Sequence, residues 1–398
     1  MIVLDDLCLN IVDCLHKTAP INELGNYFAV GTPAMRGNSI DYSLARRIDD
    51  ITFDEWTKRL RPRYGDLLLA REAPVGPVVR IPIEENVAPG QRTVLLRPDT
   101  AKVISDYLYY LLIAPEQQER LNQPVGGSTV AHLNVADVRS FRLPDVPSLM
   151  EQRRIAEVLG ALDDKIESNQ AVITRAEQLI DEIAVQRATD LPMVALSEVC
   201  SLSKSTWKPE TSPDQTVQLF SLPAFDEGAT PEQAAVASIK SNKTLMDRPG
   251  ILVSRLNPRI SRMWWVETDA ARVNVCSPEF AYLTAGDMHG LACTWLAVRS
   301  PEFRGEMVDR VTGTSGSHQR VRPADLMTIG VPDYRSLAEH TQMTVLTLLH
   351  LVSARRQQSV ALAELRDALL PELMSGRMRV DEAGCLVSEA LDEEVADV

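Results

Sequence analysis

The sequence has few aromatic residues, few histidines and no closely paired cysteines, and each shortage narrows the range of functions. Its 398 residues include six cysteines and six histidines, with no Cys-x-x-Cys pair among them. A structural zinc site or a disulfide framework is therefore not expected. No stretch approaches the ~18 consecutive apolar residues of a membrane span, and the acidic opening MIVLDDL lacks the basic start of a secretion signal. These features predict a cytoplasmic protein without a metal or other cofactor.

Motifs of common enzyme families are absent as well. The sequence contains no G-x-x-x-x-G-K-[ST] phosphate loop, no G-x-S-x-G nucleophile turn, no H-E-x-x-H zinc motif and no Asn-Pro-Pro-aromatic methyltransferase motif. We therefore expect no catalytic residue in this chain.

Negative charge dominates, but it is concentrated at one end. The net charge is -14, and the segment 381–398 contributes seven acidic residues and no basic one. We predict an acidic, flexible tail over this segment. The two large segments before it are each close to neutral, so each can carry a local basic face.

An internal duplication is the most informative feature of the sequence. When the chain is shifted by 188 residues, Ala136-Asp137 falls on Ala324-Asp325 and Pro144-Asp145 falls on Pro332-Asp333. Ser148-Leu149 and Glu151 likewise meet identical residues, which predicts two globular halves of the same kind.

Two weaker similarities extend the duplication towards the start of each half. The segment GDLLLAR from Gly65 resembles GILVSR from Gly250, and PINELGN from Pro20 resembles PMVALSE from Pro192. The first pair consists of apolar runs that predict buried strands.

Each copy ends in a heptad pattern that predicts a long helix, the first over about 151–187. The two helices carry polar seam residues near the same place, and such residues cost stability but fix register. We therefore expect the two helices to pack against each other. The predicted helix-pairing residues are Leu159, Leu162, Ile166, Asn169, Ile173, Ile180, Leu348, Leu351, Arg355, Gln358, Leu362, Leu365 and Leu369. The alternative is that each helix caps only its own domain.

The expected fold is α+β, with two similar mixed α/β domains separated by two long antiparallel helices that form a coiled coil. The predicted boundaries are a first domain over 1–147, a first helical spacer over 148–190, a second domain over 191–335, a second helical spacer over 336–380 and the acidic tail.

Basic residues cluster in both halves and are candidates for DNA binding, because lysine and arginine neutralise phosphates and arginine can also pair with base edges. The candidates in the first half are Arg46, Arg47, Lys58, Arg59, Arg61, Arg63 and Arg71. Those in the second half are Lys204, Lys208, Lys240, Lys243, Arg255, Arg259 and Arg262.

Two loops at matching positions of the duplication add further candidates. They are GGSTVAHLN from Gly126 and GTSGSHQRVR from Gly313, in which small residues accompany polar ones. The candidates are Ser128, Thr129 and His132 in the first loop, and Ser317, His318, Gln319, Arg320 and Arg322 in the second.

The helical segments resemble the two conserved helical regions of type I restriction–modification specificity subunits. The first region matches through Glu151-Gln152, Ile155, Leu159, Leu162-Asp163, Ile166 and Asn169. The second matches through Leu369-Leu370, Leu373 and Ser375-Gly376. One departure is Glu339-His340, where a second Glu-Gln pair is expected.

The resemblance implies a non-catalytic subunit whose two domains are target-recognition domains, each reading one half of an asymmetric double-stranded DNA target. It also implies that the paired helices act as a ruler between the halves and dock methyltransferase subunits, with two expected. Restriction and translocase subunits would join for cleavage. Two other interpretations remain open, namely a helical adaptor that gathers proteins without binding DNA, and an enzyme whose site carries no known motif.

Overall fold

Short strands and helices follow one another in a similar order in both halves of the chain. The computed structural model describes residues 1–123, 132–209, 215–269, 271–311 and 319–392. The strands of the first half are β1 (Ile2–Val3), β2 (Cys8–Asp13), β3 (Tyr27–Val30), β4 (Met35–Arg36), β5 (Ser39–Ile40), β6 (Arg46–Ile48), β7 (Leu67–Arg71), β8 (Val75–Arg80), β9 (Val87–Pro89), β10 (Thr93–Pro98) and β11 (Arg142–Leu143). Those of the second half are β12 (Met193–Ala195), β13 (Ser201–Leu202), β14 (Thr206–Trp207), β15 (Thr216–Phe220), β16 (Glu232–Ala235), β17 (Lys243–Met246), β18 (Gly250–Ser254), β19 (Met263–Val266), β20 (Asn274–Cys276), β21 (Phe280–Thr284) and β22 (Gly330–Pro332).

The helices repeat in the same way, and two of them are much longer than the rest. They are α1 (Leu4–Leu7), α2 (Asp50–Trp56), α3 (Ser105–Ile113), α4 (Pro115–Leu121), α5 (Val135–Arg139), α6 (Leu149–Ala188), α7 (Leu196–Val199), α8 (Leu222–Asp226), α9 (Met288–Arg299), α10 (Pro301–Asp309), α11 (Pro323–Met327), α12 (Glu339–Ser375) and α13 (Val380–Asp392). None of the helices in the described ranges is long and apolar enough to cross a membrane.

The chain divides into two units, and the division cuts both long helices. The first unit contains residues 1–164 and 362–398, and the second contains residues 165–361. Each globular half therefore forms a unit with one end of α6 and the opposite end of α12.

A four-stranded antiparallel sheet lies at the centre of each globular half. Its order is β2-β10-β7-β8 in the first half and β13-β21-β18-β19 in the second. All residues of β7 and β18 are buried, which is typical of strands that are covered on both faces. The predicted similarity between the segments at Gly65 and Gly250 is confirmed, because they form these two equivalent central strands.

A second sheet in each half contains one parallel pair, β3 with β9 and β15 with β20. In the first half the sheet has the order β6-β3-β9, whereas in the second half it has the order β14-β17-β20-β15-β16. The duplicated frame is thus retained, and the second half extends it by two strands.

The start of each half corrects one of the sequence similarities. Strand β1 pairs with β11, and β12 pairs with β22 in the same way. The segment from Pro192 is therefore equivalent to the opening MIVLDDLC of the chain, and the similarity to Pro20 was wrong. The sequence comparison failed here because both candidates contain a leucine and an acidic residue at similar spacing, and only strand pairing distinguishes them.

The two long helices pack antiparallel within each unit, so the predicted α+β fold with a helical pair is confirmed. In the second unit, Asn169 Nδ2 donates to Gln358 Oε1 at 2.8 Å. Further along, Ile173 and Ala176 pack against Val352. In the first unit, Arg366 Nη1 donates to Asp163 Oδ1 at 2.8 Å.

Asp163 also connects α6 to the globular part of the first unit. Tyr110 Oη donates to Asp163 Oδ2 at 2.6 Å, and Arg80 Nη2 lies 3.4 Å from the same oxygen. Burial raises the pKa of Tyr110, so its hydroxyl stays protonated and remains a donor. The side chain of Asp163 is 13% exposed, and its charge is balanced by the two arginines.

The buried stripe of α12 differs in register from the predicted one over its first half. Leu349 and Val352 are buried, whereas Leu348 and Leu351 are only half-buried. Among the other predicted pairing residues, the buried ones are Leu159, Leu162, Asn169, Ile173, Ile180, Leu362 and Leu369, and the half-buried ones are Ile166, Arg355, Gln358 and Leu365.

The register differs because the second helix begins two residues later relative to its domain. Gln152 Nε2 donates to the carbonyl of Pro147 at 2.9 Å, and Gln342 Nε2 donates to the carbonyl of Leu337 at 2.8 Å. Gln342, rather than His340, is therefore the equivalent of Gln152, and the apparent departure at Glu339-His340 comes from an ungapped alignment.

The acidic tail was predicted to be flexible, and this was wrong as far as Asp392. Helix α13 buries Val380, Ala383 and Val387, which lie on one helical face because of their spacing. Arg154 of α6 forms an ion pair with Asp381. The acidic residues occupy the exposed side of an amphipathic helix, a pattern that the charge count concealed.

Candidate nucleic-acid interface

The central strand of each half ends beside a segment that returns from a candidate loop. After β7, Glu72 forms an antiparallel bridge with His132, and after β18, Leu256 forms one with Arg320. The N–H of Leu133 donates to the carbonyl of Arg71, and the N–H of Val321 donates to the carbonyl of Arg255. In each half, the candidate loop therefore ends beside the same edge of the four-stranded sheet, at the end of β7 or β18.

Arg71 was predicted to contact DNA, but its side chain is only 5% exposed. Its Nη1 donates to the carbonyl of Leu133 at 3.3 Å. Its Nε lies 3.3 Å from Asp13 Oδ1, and its Nη2 lies 3.3 Å from His16 Nδ1. The guanidinium is therefore used within the domain, where it fixes the returning segment, and it is not available to a phosphate.

Arg255 does the equivalent work in the second half. Its Nη1 donates to the carbonyl of Val321 at 3.4 Å, and its Nη2 donates to the carbonyl of Pro278. Burial lowers the pKa of Arg255, although an arginine remains protonated at neutral pH. Arg71 and Arg255 thus make the same hydrogen bond to the returning segment. From the sequence, both had been predicted to contact DNA.

A carboxylate lies beside each returning segment, with a different partner in each half. In the first half, Glu72 Oε2 lies 3.5 Å from His132 Nδ1. In the second half, Arg320 forms two hydrogen bonds of 2.9 and 3.0 Å with Glu279. These bonds lower the pKa of Glu279. The side chain of Arg320 is 40% exposed.

Most basic candidates of the first half also bond within the domain. Arg46 and Arg47 donate to the carbonyls of Ala19 and Glu23 at 3.2 Å each. Two others stabilise neighbouring segments: Arg59 donates to the carbonyls of Asp13 and Cys14, and Arg61 pairs with Asp54 at 3.1 Å. Lys58 and Arg63 are exposed. Except for Arg71, all of these side chains retain solvent exposure and can reach a ligand.

The second half has a similar mixture of engaged and exposed candidates. Arg262 forms two hydrogen bonds of 2.7 and 2.8 Å with Asp226, and these lower the pKa of Asp226. Lys243 Nζ donates to Ser241 Oγ at 2.7 Å, and burial lowers its pKa. The exposed candidates are Lys204, Lys208, Lys240, Arg259 and Arg322, and Gln319 is half-buried. Ser128, Thr129, Ser317 and His318 lie outside the described residues.

The sequence reading missed Arg92, which lies in the turn before β10. It lines a pocket of about 230 Å³ in the first half together with Arg46 and Gln91. The turn needs Gly90 because a Cβ there would lie 2.4 Å from the backbone nitrogen of Gly31. A signal was available in the Pro-Gly-Gln-Arg run that precedes a predicted strand, since such a run marks an exposed turn with a basic residue.

No group of three or more His, Cys, Asp and Glu side chains within the described ranges could hold a metal ion. The polar groups described above are instead donors and cations along a sheet edge, which are suited to contact with an anionic polymer.

The chain is similar to known proteins in sequence and in fold. A protein-family model, the type I restriction modification DNA specificity domain, matches residues 23–178. The chain is 31% identical over 143 residues to the type I restriction enzyme MjaIX specificity subunit of Methanocaldococcus jannaschii, a match that covers 35% of this chain and 31% of that protein. It is 29% identical over 86 residues to the putative type I specificity subunit S.MpnORF638P of Mycoplasma pneumoniae, a match that covers 22% of each.

The aligned segments thus span less than a third of the curated relatives they match. The fold comparison extends further. A crystal structure of a type I restriction-modification S subunit from M. genitalium matches with a TM-score of 0.56 and 15% identity, and the match covers 94% of this chain and 95% of that one. At that identity the likeness concerns the fold.

The duplicated sheets and the two long helices define a class of protein with two similar globular halves. Within that class, this chain is similar to type I restriction–modification specificity subunits, and the family's DNA specificity domain matches residues 23–178. The resemblance expected from the helical motifs is confirmed.

Proposed function

We propose that this chain is the DNA-recognition subunit of a type I restriction–modification complex and that each half reads one part of a two-part double-stranded DNA target. The observation that carries the proposal is the repeated sheet edge, where Arg71 and Arg255 bond to the returning carbonyls of Leu133 and Val321. Two copies of one structural arrangement suit a DNA target with two half-sites.

Base contacts specify a DNA sequence, whereas phosphate contacts only position the protein. The proposal therefore assigns base reading to side chains beside the sheet edge, such as those of Gln319 and Arg320. The other exposed cations of the candidate set are assigned to the backbone. Such a division of labour requires no catalytic group, and we propose that the chain itself is non-catalytic.

We further propose that the paired helices dock methyltransferase subunits, with two expected, and that restriction and translocase subunits join them. Exposed apolar side chains on α6 support a docking role. Leu179 is 43% exposed and Val185 is 53% exposed, and apolar side chains on a helix surface are candidates for protein contact. The cytoplasmic location expected from the sequence remains a prediction.

The test is to express the full chain with its methyltransferase subunits and to measure duplex binding at several salt concentrations. We expect affinity to fall steeply with salt, because each phosphate contact releases counterions. A slope near zero would favour the adaptor interpretation instead. Methylation or cleavage by the purified chain alone would favour the enzyme interpretation.

Exchange of the first globular half tests the two-part reading. Replacing residues 1–147 with those of a relative of known target should change one half of the methylated motif and leave the other half intact. The reciprocal exchange of residues 191–335 is the matched control. A change in both halves of the motif after either exchange would contradict independent reading.

A further inference from the structure

A groove in the second half lies between the segment 197–204 and helix α11. It has a volume of about 800 Å³, and its lining includes Ser197, Ser201, Lys204 and Arg322. None of the side chains that line it in the described part of the chain is acidic. In a chain whose net charge is -14, a groove with two cations and no carboxylate is unusual.

The two cations of this groove are available to a ligand. Both Lys204 and Arg322 are exposed, and neither side chain has a hydrogen bond or ion pair with another residue that the structure describes. Most other arginines of the candidate set bond to carbonyls or carboxylates of their own domain, as described above. Two cations without a partner among the described residues therefore line the groove together with Ser197 and Ser201, whose hydroxyl groups are additional donors.

The equivalent place in the first half carries an internal ion pair. The opening MIVLDDLC aligns with MVALSEVC from Met193, so Asp5 stands where Ser197 stands in the second half. The 188-residue shift places Arg139 where Met327 stands. Arg139 Nη1 lies 2.6 Å from Asp5 Oδ1, and its Nη2 donates to the carbonyl of Ile11 at 2.6 Å. Equivalent places thus carry an internal ion pair in the first half and a groove with two cations in the second half.

The groove also adjoins the sheet edge to which base reading is assigned. Arg322 follows Val321, whose N–H donates to the carbonyl of Arg255 at 3.1 Å. Arg320 lies on the other side of Val321, and its side chain is 40% exposed. A DNA strand that presents bases to Arg320 would therefore carry its phosphates past Arg322.

We infer that this groove binds phosphodiester groups of the DNA backbone next to the second half-site and that the first half has no equivalent contact. The inference rests on the proposed function and adds an asymmetry to it. Lysine and arginine on groove walls suit phosphates because such contacts need charge more than a fixed geometry. Replacing either residue should therefore weaken binding to all sequences alike.

The test uses the full chain in complex with its methyltransferase subunits and the double variant Lys204→Ala, Arg322→Ala. The slope of log affinity against log salt should become shallower by roughly 0.9 for each lost contact, and the methylated motif should not change. The charge-preserving variant Lys204→Arg, Arg322→Lys should keep the original slope. Arg139→Ala is the matched control from the first half, and its slope should equal that of the unmodified chain.

Ethylation of single phosphates locates the contact on the DNA. For the unmodified complex, we expect ethylation beside the second half-site to reduce binding, and we expect that reduction to disappear in the double alanine variant. An unchanged slope and ethylation pattern in that variant would overturn the inference while leaving the proposed function intact. Absence of salt-dependent DNA binding by the unmodified complex would instead overturn the proposed function.

Discussion

Arg71 in the first half and Arg255 in the second occupy equivalent places and make the same bond to a returning carbonyl, yet their surroundings differ. Arg71 is enclosed with Asp13 and His16, whereas Arg255 is half-buried near Glu279 and Arg320. The comparison shows that the duplicated part is the backbone frame and one arginine that fixes it. The side chains around that arginine have diverged, which agrees with the proposal that the two halves read different half-sites.

The largest expected effect comes from removing these two arginines. Arg71→Ala removes the buried guanidinium beside Asp13 Oδ1 and leaves His16 as the partner of that carboxylate, and loss of one member of a buried ion pair costs about 3–5 kcal/mol. Arg255→Ala removes hydrogen bonds from a more exposed site and should cost about 1–2 kcal/mol. Urea unfolding with hydrogen exchange for each half would measure the difference. Equal losses of unfolding free energy in the two variants would contradict the expected difference between a buried and a half-buried arginine.

A second contrast lies on α6, where Asp163 in the first unit and Asn169 in the second each bond to α12. Asp163→Ala leaves Arg80 and Arg366 without their shared carboxylate, and we expect a loss of about 2–3 kcal/mol in the first unit. Asn169→Ala removes two neutral hydrogen bonds, to Gln358 and Ser359, and should cost about 1–2 kcal/mol. Asp163→Asn is the control that keeps the size of the side chain. A larger loss for Asn169→Ala would contradict the charge-based ranking.

The two glutamines at the helix starts provide a sharper comparison because their chemistry is the same. Gln152 is 1% exposed and also accepts from the N–H of Ile104 at 2.8 Å, whereas Gln342 is half-buried and donates only to two carbonyls. We expect Gln152→Ala to cost about 2 kcal/mol and Gln342→Ala about 1 kcal/mol. His340→Ala should be neutral, and thermal unfolding would check all three. A large effect at His340 would mean that the ungapped alignment was right.

The smallest effect concerns Glu279, whose pKa in the folded chain is lowered by the hydrogen bonds from Arg320. A carboxylate with a depressed pKa adds stability above its unfolded value of 4.5, and that stability is lost as the pH falls through the folded value. Because the pair is partly exposed, we expect a contribution below about 1 kcal/mol. Arg320→Ala should raise the pKa of Glu279, as measured by NMR titration, while Glu279→Gln removes the pH dependence. An unchanged pKa in Arg320→Ala would contradict the assigned cause.

Local patterns were sufficient to predict much of the fold. The run GDLLLAR from Gly65 predicted a buried strand, and β7 (Leu67–Arg71) lies within it. The heptads predicted the long α6, because burial along a helix repeats with the period of the helix itself. The duplication predicted that the second half would have the same architecture. These features depend on residues that are close together in the chain.

The roles of individual cations were not predictable in the same way. Arg71 bonds to a carbonyl 62 residues away, and Arg139 pairs with a carboxylate 134 residues away. Composition marks such residues as basic but does not indicate whether folding will supply them with an internal partner. The same reason explains why Lys204 and Arg322 could be proposed as candidates from the sequence but could not be recognised as two walls of one groove.

By itself, the sequence determined the duplication, the central strand of each half and the pairing of two long helices, because hydrophobic periodicity and repeated motifs are local properties of the chain. Only the tertiary structure decided which arginines hold the frame, where the second helix begins its buried stripe and which surface keeps unpaired charge. Electrostatic partnership depends on distances between residues far apart in sequence, and those distances exist only once the chain has folded.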